Sequence, residues 1–133
     1  MDRVERLNQR LDDGQIIVID GGMGTELEAR GVEMDPGAWC AIANVDRPGV
    51  VQEIHADFVS AGADVIITNT FPAGLPALEG AGHGDRFEEI NRAAVQSALR
   101  AFELLTGTRG ALSLTTALVE IGEAMQRDLG SGL

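Results

Sequence analysis

Ten residues, Ile16 to Thr25 (IIVIDGGMGT), limit what this chain can become more than any other stretch. The β-branched run Ile16, Ile17, Val18 and Ile19 is too short for an ordinary helix. It is also too uniformly apolar for a strand with one wet face, which predicts a parallel strand buried on both sides. The run ends on Asp20. Gly21, Gly22 and Gly24 then let the backbone turn tightly and approach a bound group before a helix starts near Thr25. Ligands of parallel α/β folds gather at the carboxyl ends of strands, so a carboxylate there suits binding. The same carboxylate could instead cap the helix that follows.

A second run repeats the pattern. Asp64 to Thr70 (DVIITNT) is again continuously apolar and again ends in polar residues, which puts Thr68, Asn69 and Thr70 at the same end of a parallel sheet as Asp20. Between the two runs, the spacing of Val51, Ile54, Phe58 and Ala61 after Pro48 predicts an amphipathic cover helix closing at Gly62. Helices are also predicted over 2–13, with Val4, Leu7 and Leu11 as its apolar stripe, and over 86–105. The second of these is capped by Asp85 and buries Phe87, Ile90, Ala94, Ala98, Phe102 and Leu105. Segments 32–47 and 72–84 carry the prolines and glycines of irregular loops. A third strand over 111–116 and an amphipathic segment over 118–129 complete three strand-and-helix units, an α/β class. Such units begin either an open doubly wound sheet or a (β/α)8 barrel, and three cannot close a barrel.

Composition removes several functions. The net charge is −11, and all ten basic residues are arginine. An acidic chain without basic clusters repels phosphate backbones, which argues against nucleic-acid binding. With no lysine, Schiff-base chemistry has no nucleophile. No apolar run reaches the length of a membrane span and the charged N-terminus has no signal-peptide core, so a cytoplasmic protein without membrane association is expected. The single cysteine, Cys40, cannot form an internal disulfide, and neither His55 nor His83 has the neighbours of a metal site. Trp39 has two readings, core packing or the wall of a ligand pocket.

Taken together, IDGGMGTELEARG at 19–31, the Trp39 segment, HADFVSAGADVIITNTF at 55–71 and FEEINRAAV at 87–95 resemble the homocysteine S-methyltransferase family. A dinucleotide fingerprint is a poor alternative, because Leu27 stands where its last glycine is needed. The resemblance implies one domain over 1–133, a partial (β/α)8 TIM barrel of about three units with covering helices, as a truncated or split chain. It implies homocysteine as the substrate, held by Asp20 and Gly21 after the first strand and Thr68 after the second. Glu26 and Asn69 are then further substrate-binding residues in the pocket wall or just behind it, as is Thr70, and Trp39 and Phe71 lie on the side of an unidentified methyl donor, with plain packing or helix capping as the other reading of this group. It implies zinc in the family, held by three cysteines that have no counterpart here, so that no metal ligand and no catalytic residue is assigned to this chain. The competing reading is a non-catalytic assembly module whose open sheet edges pair with another copy or a complementary chain.

Overall fold

The computed structural model describes residues 3–106. In order along the chain it has α1 (Arg3–Asp12), α2 (Met23–Ala29), α3 (Ala43–Asp46), α4 (Pro48–Ser60), α5 (Leu75–Gly80) and α6 (Phe87–Thr106), with single 3-10 turns at Phe71–Ala73 and Gly84–Arg86. The third strand over 111–116 and the segment over 118–129 lie outside the described residues.

The expected parallel sheet is not formed among the described residues, so the α/β barrel assignment is corrected to a helical assembly with one parallel bridge, Ile19 to Val65. The two apolar runs do lie side by side in the predicted direction. Val65 donates its N–H to the Val18 carbonyl at 3.1 Å, and Asp20 donates to the Val65 carbonyl at 3.0 Å. Side chains then close the ladder at both ends. The Val18 N–H is taken by Asp64 Oδ2 at 3.0 Å, and the Ile67 N–H, which a continuing parallel pair would offer to a backbone carbonyl, goes to Asp20 Oδ2 at 3.0 Å. Among the described residues no further layer covers the first run. Ile16 is 84% exposed, and Val18, Ile19 and Ile67 are also exposed, whereas Val65 and Ile66 are buried. The apolar continuity that predicted burial on both faces is thus satisfied at Val65 and Ile66 of the second run and not in the first.

The helices carry the core. One cluster joins Leu27 and Val32 to Cys40, Ala43, Val51 and Ile54, and a second joins Ala38, Ala41, Ala73, Leu78 and Ile90. Helices α4 and α6 pack against each other, and the buried alanines 94, 98 and 101 on α6 permit a close approach. Pro48 opens α4 as predicted, and α4 stops as its sequence asks. Gly62 adopts φ +108°, with its N–H on the Val59 carbonyl and that of Ala63 on the Phe58 carbonyl. Gly31 closes α2 in the same way, at φ +76°.

Three local expectations need correction. The stripe on α1 does not cover a sheet, because Val4 and Leu11 are exposed; instead the helix is tied down by Arg10, whose guanidinium meets Asp64 at 2.8 Å. Segment 72–84 is not all loop, since Leu78 is drawn into the second cluster and orders α5. Helix α6 begins at Phe87, after a 3-10 turn that contains Asp85, and Leu105 is exposed. None of the described helices is long and apolar enough to cross a membrane.

Candidate functional site

Asp20 stands at the carboxyl tip of the first apolar run and reaches across to the second through the Ile67 N–H. Helix α2 starts at Gly22 without a side-chain cap, so the capping alternative does not describe Asp20. Its other carboxylate oxygen, Oδ1, is buried and accepts no hydrogen bond among the described residues. Desolvation raises the Asp20 pKa above the ordinary carboxylate value, opposed by the Ile67 N–H and by its own N–H. A buried carboxylate with one idle oxygen is short of a donor.

On the facing segment, Thr68 and Thr70 bring their hydroxyls to 3.0 Å from each other, so both sit on one side of the chain. Asn69, between them, is turned inward. Its amide donates to the Cys40 carbonyl at 3.0 Å and to Asn44 Oδ1 at 2.9 Å, and its Oδ1 accepts from the Cys40 thiol at 3.2 Å. That amide has no hydrogen left for a ligand. Glu26 lies on α2, 3.5 Å from Arg30, which itself reaches Asp57 at 2.6 Å and so links α2 to α4. Phe71 opens the 3-10 turn and is 91% exposed. The structure therefore brings Asp20 toward the residue before Thr68, and turns Asn69 into a support.

The glycines after Asp20 act differently from expectation. None of Gly21, Gly22 and Gly24 has a positive φ. Gly21 admits the Phe58 ring, where a Cβ would stand 3.0 Å from Cε1, and Gly24 admits Trp39, where a Cβ would lie 2.4 Å from Cζ2. Trp39 is 43% exposed and holds φ +48°, in the left-handed region that bulky residues rarely enter. The turn that imposes this is fastened by Asp35. Its Oδ1 accepts the N–H groups of Gly37 and Ala38, and its backbone pairs with that of Trp39 at 2.8 and 2.9 Å. Those N–H groups, followed by the His83 contact at 3.2 Å, hold the Asp35 carboxyl below the usual range. Replacing Gly24 by alanine is expected to push the indole off α2, costing about 1–3 kcal/mol as an overpacking change. A shifted emission maximum of the single tryptophan, together with a lower melting temperature, checks this.

The chemistry of the donor set does not fit a metal. Among the described residues no three histidine, cysteine or carboxylate side chains are grouped to hold an ion. Cys40 is buried against Asn69, its thiol pKa raised chiefly by desolvation. His55 is enclosed in the core, and His83 is engaged with Asp35. A cleft of about 320 Å³ between α3 and α6, lined by Asn44, Arg92, Gln96 and Arg100 among others, contains none of the residues nominated from sequence. Two supporting residues escaped the sequence reading, Asn44 and Asn91. Asn44 left a faint signal as the lone polar residue in the run AIANV.

Comparison with known proteins agrees with the motifs. A family model described as homocysteine S-methyltransferase matches residues 17–129. "Homocysteine S-methyltransferase 4" of Zea mays is 37% identical over 89 residues, which is 66% of this chain and 26% of that protein. "S-methylmethionine--homocysteine S-methyltransferase BHMT2" of Rattus norvegicus is 39% identical over 90 residues, 68% of this chain and 23% of that protein. The chain thus spans about a quarter of the length of these relatives. Among solved structures, the oxidized form of the homocysteine methyltransferase MmuM from Escherichia coli superposes with a TM-score of 0.66 at 32% identity, over 80% of this chain and 37% of the other. Its metallated form gives 0.65 at 33% identity, over 78% and 37%.

Proposed function

Because the chain belongs to the homocysteine S-methyltransferase family, we propose that it supplies the part of a methyltransferase pocket that grips the amino-acid end of homocysteine. The observation that carries this reading is the idle, buried Oδ1 of Asp20 beside a segment rich in hydroxyls. An ammonium group answers the carboxylate with a charge-assisted hydrogen bond, and of the mutually bonded Thr68 and Thr70 hydroxyls the one whose hydrogen is not used between them answers the substrate carboxylate as a donor. Gly21, next to Asp20, carries a backbone N–H at the same tip, its missing side chain making room for the Phe58 ring. Trp39 and Phe71 present exposed aromatic surface, suited to the methyl side of a cationic donor such as a sulfonium or quaternary amine. The reaction assigned to the family moves that methyl group to the substrate sulfur. No step is routed through a metal, since the described residues do not fit one.

Calorimetric titration of the chain with homocysteine tests this. Saturable binding, competed by methionine and not by a thiol that lacks the amino-acid group, is the expected result. No heat above dilution at millimolar ligand would overturn it.

The exposed row Ile16, Val18, Ile19 and Ile67 favours a second reading, an assembly module to which another polypeptide adds a strand. Size-exclusion chromatography over a range of concentrations checks it, and a monomer at every concentration in the absence of other chains counts against self-pairing.

A further inference from the structure

The residues that follow the second apolar run are gripped by two buried amides from different helices. Asn44 of α3, fully buried, donates from Nδ2 to the Asn69 carbonyl at 2.8 Å and accepts from Asn69 Nδ2 at 2.9 Å. Asn91 of α6, also buried, donates to the Ala73 carbonyl at 2.9 Å and to the Phe87 carbonyl of its own helix at 2.9 Å. Between these anchors the backbone adds local bonds of its own, from Thr70 N–H to the Thr68 carbonyl and from Ala73 N–H to the Thr70 carbonyl. Such local bonds are weak restraints on a turn that has no sheet to continue into among the described residues.

We infer that Asn44 and Asn91 are positioning residues which, acting through residues 69 and 73, hold the Thr68–Ala73 turn in the shape that presents its hydroxyls and Phe71 to a ligand. The chemistry of the side chain supports this role. Asn44 gives and accepts at once across a buried contact, which fixes an orientation; aspartate lacks the donor and leucine lacks both functions. Cys40 completes the arrangement by taking the remaining hydrogen of Asn69 on its carbonyl. Apolar packing alone would bury this segment equally well without setting its rotation, and rotation by one residue exchanges inward Asn69 for an outward hydroxyl.

The part of this inference that concerns a ligand rests on the amino-acid-binding reading, and the test separates the two. Amide hydrogen exchange is measured on the full chain and on Asn44→Ala. Exchange at Thr70 and Ala73 is expected to quicken about tenfold or more, as for one lost buried hydrogen bond, while the amides midway along α4 keep their rates. Homocysteine affinity is expected to fall by about tenfold in the same variant. Uniform acceleration in α4 and the turn alike would overturn the inference, because the amides would then serve only global stability, as would unchanged rates in the turn. Should the wild-type chain bind no homocysteine, the functional reading fails, while the exchange pattern still decides whether the amides set the turn. If Asn44→Ala does not fold, Asn91→Ala takes its place, with acceleration expected at Ala73.

Discussion

Replacing His55 by leucine is expected to raise the melting temperature at neutral pH and to remove most of the loss of stability that the wild-type chain suffers between pH 7 and pH 5. His55 is fully buried on α4, and among the described residues neither ring nitrogen has a hydrogen-bond partner. Burial lowers its pKa from 6.5 to about 4. The folded state therefore binds the proton more weakly than the unfolded one. Its full contribution is present above pH 6.5, and it is lost progressively as the pH falls from there toward 4. A depression of this size is worth about 3 kcal/mol across the whole window, of which about 2 kcal/mol is spent by pH 5.

Other groups act elsewhere. Asp64, lowered by Arg10 and the Val18 N–H, and Asp35, lowered by the Ala38 and Gly37 N–H groups, give stability that is present above their ordinary value of 3.8 and lost only below it. Asp20, raised by desolvation, works in the opposite sense and recovers a little stability as it takes up a proton. Denaturant titrations at pH 7 and pH 5 isolate His55. Leucine also removes two unpaired buried nitrogens, a gain of about 1–3 kcal/mol at pH 7. Equal pH slopes for the two proteins would show that the imidazole is not enclosed as described.

How the chain reveals itself in sequence depends on the range of the forces involved. Helix α4 was legible from end to end, because proline at its start, glycine at its end and an apolar stripe at spacings of three and four are local signals. The pairing of the two apolar runs was legible too, in its direction and in the placing of Asp20 beside the second run. What failed was the inference from a continuous apolar run to a sheet buried on both faces. That inference assumes covering neighbours, and Ile16 and Ile67 are left exposed. The end of the ladder was hidden for a different reason. Asp20 and Asp64 use their side chains where a backbone carbonyl would serve, and nothing in residue order distinguishes a carboxylate that waits for a ligand from one that closes a strand. Asn69 shows the same limit. Its place in TNT marked it as a pocket residue, whereas its partners Cys40 and Asn44 lie 29 and 25 positions away.

The Asp20 carboxylate separates binding from folding, and Asp20→Asn is expected to lower homocysteine affinity roughly 10- to 100-fold while leaving the melting temperature unchanged or slightly higher. Its Oδ2 accepts the Ile67 N–H, a bond that an amide oxygen can also make, so the join between the two tips survives. The charge itself is a burden to the folded chain, since desolvation raises the Asp20 pKa and the buried Oδ1 has no donor among the described residues. Removing it relieves that cost. For a bound ammonium the exchange is unfavourable, because a charge-assisted hydrogen bond is replaced by a contact with a neutral amide, a loss of about 1.5–3 kcal/mol. Thr68→Val, which deletes one hydroxyl and keeps the branched shape, is expected to cost less, about 0.5–1.5 kcal/mol, as for a neutral hydrogen bond. Calorimetry with homocysteine on the three proteins, beside thermal melts, measures both sides. The raised pKa adds a second signature: wild-type affinity falls on acidification before an ordinary carboxylate would titrate, and the asparagine variant lacks that fall. Wild-type affinity in Asp20→Asn would remove Asp20 from the pocket and with it the reason for placing the amino-acid end of a substrate between these two tips.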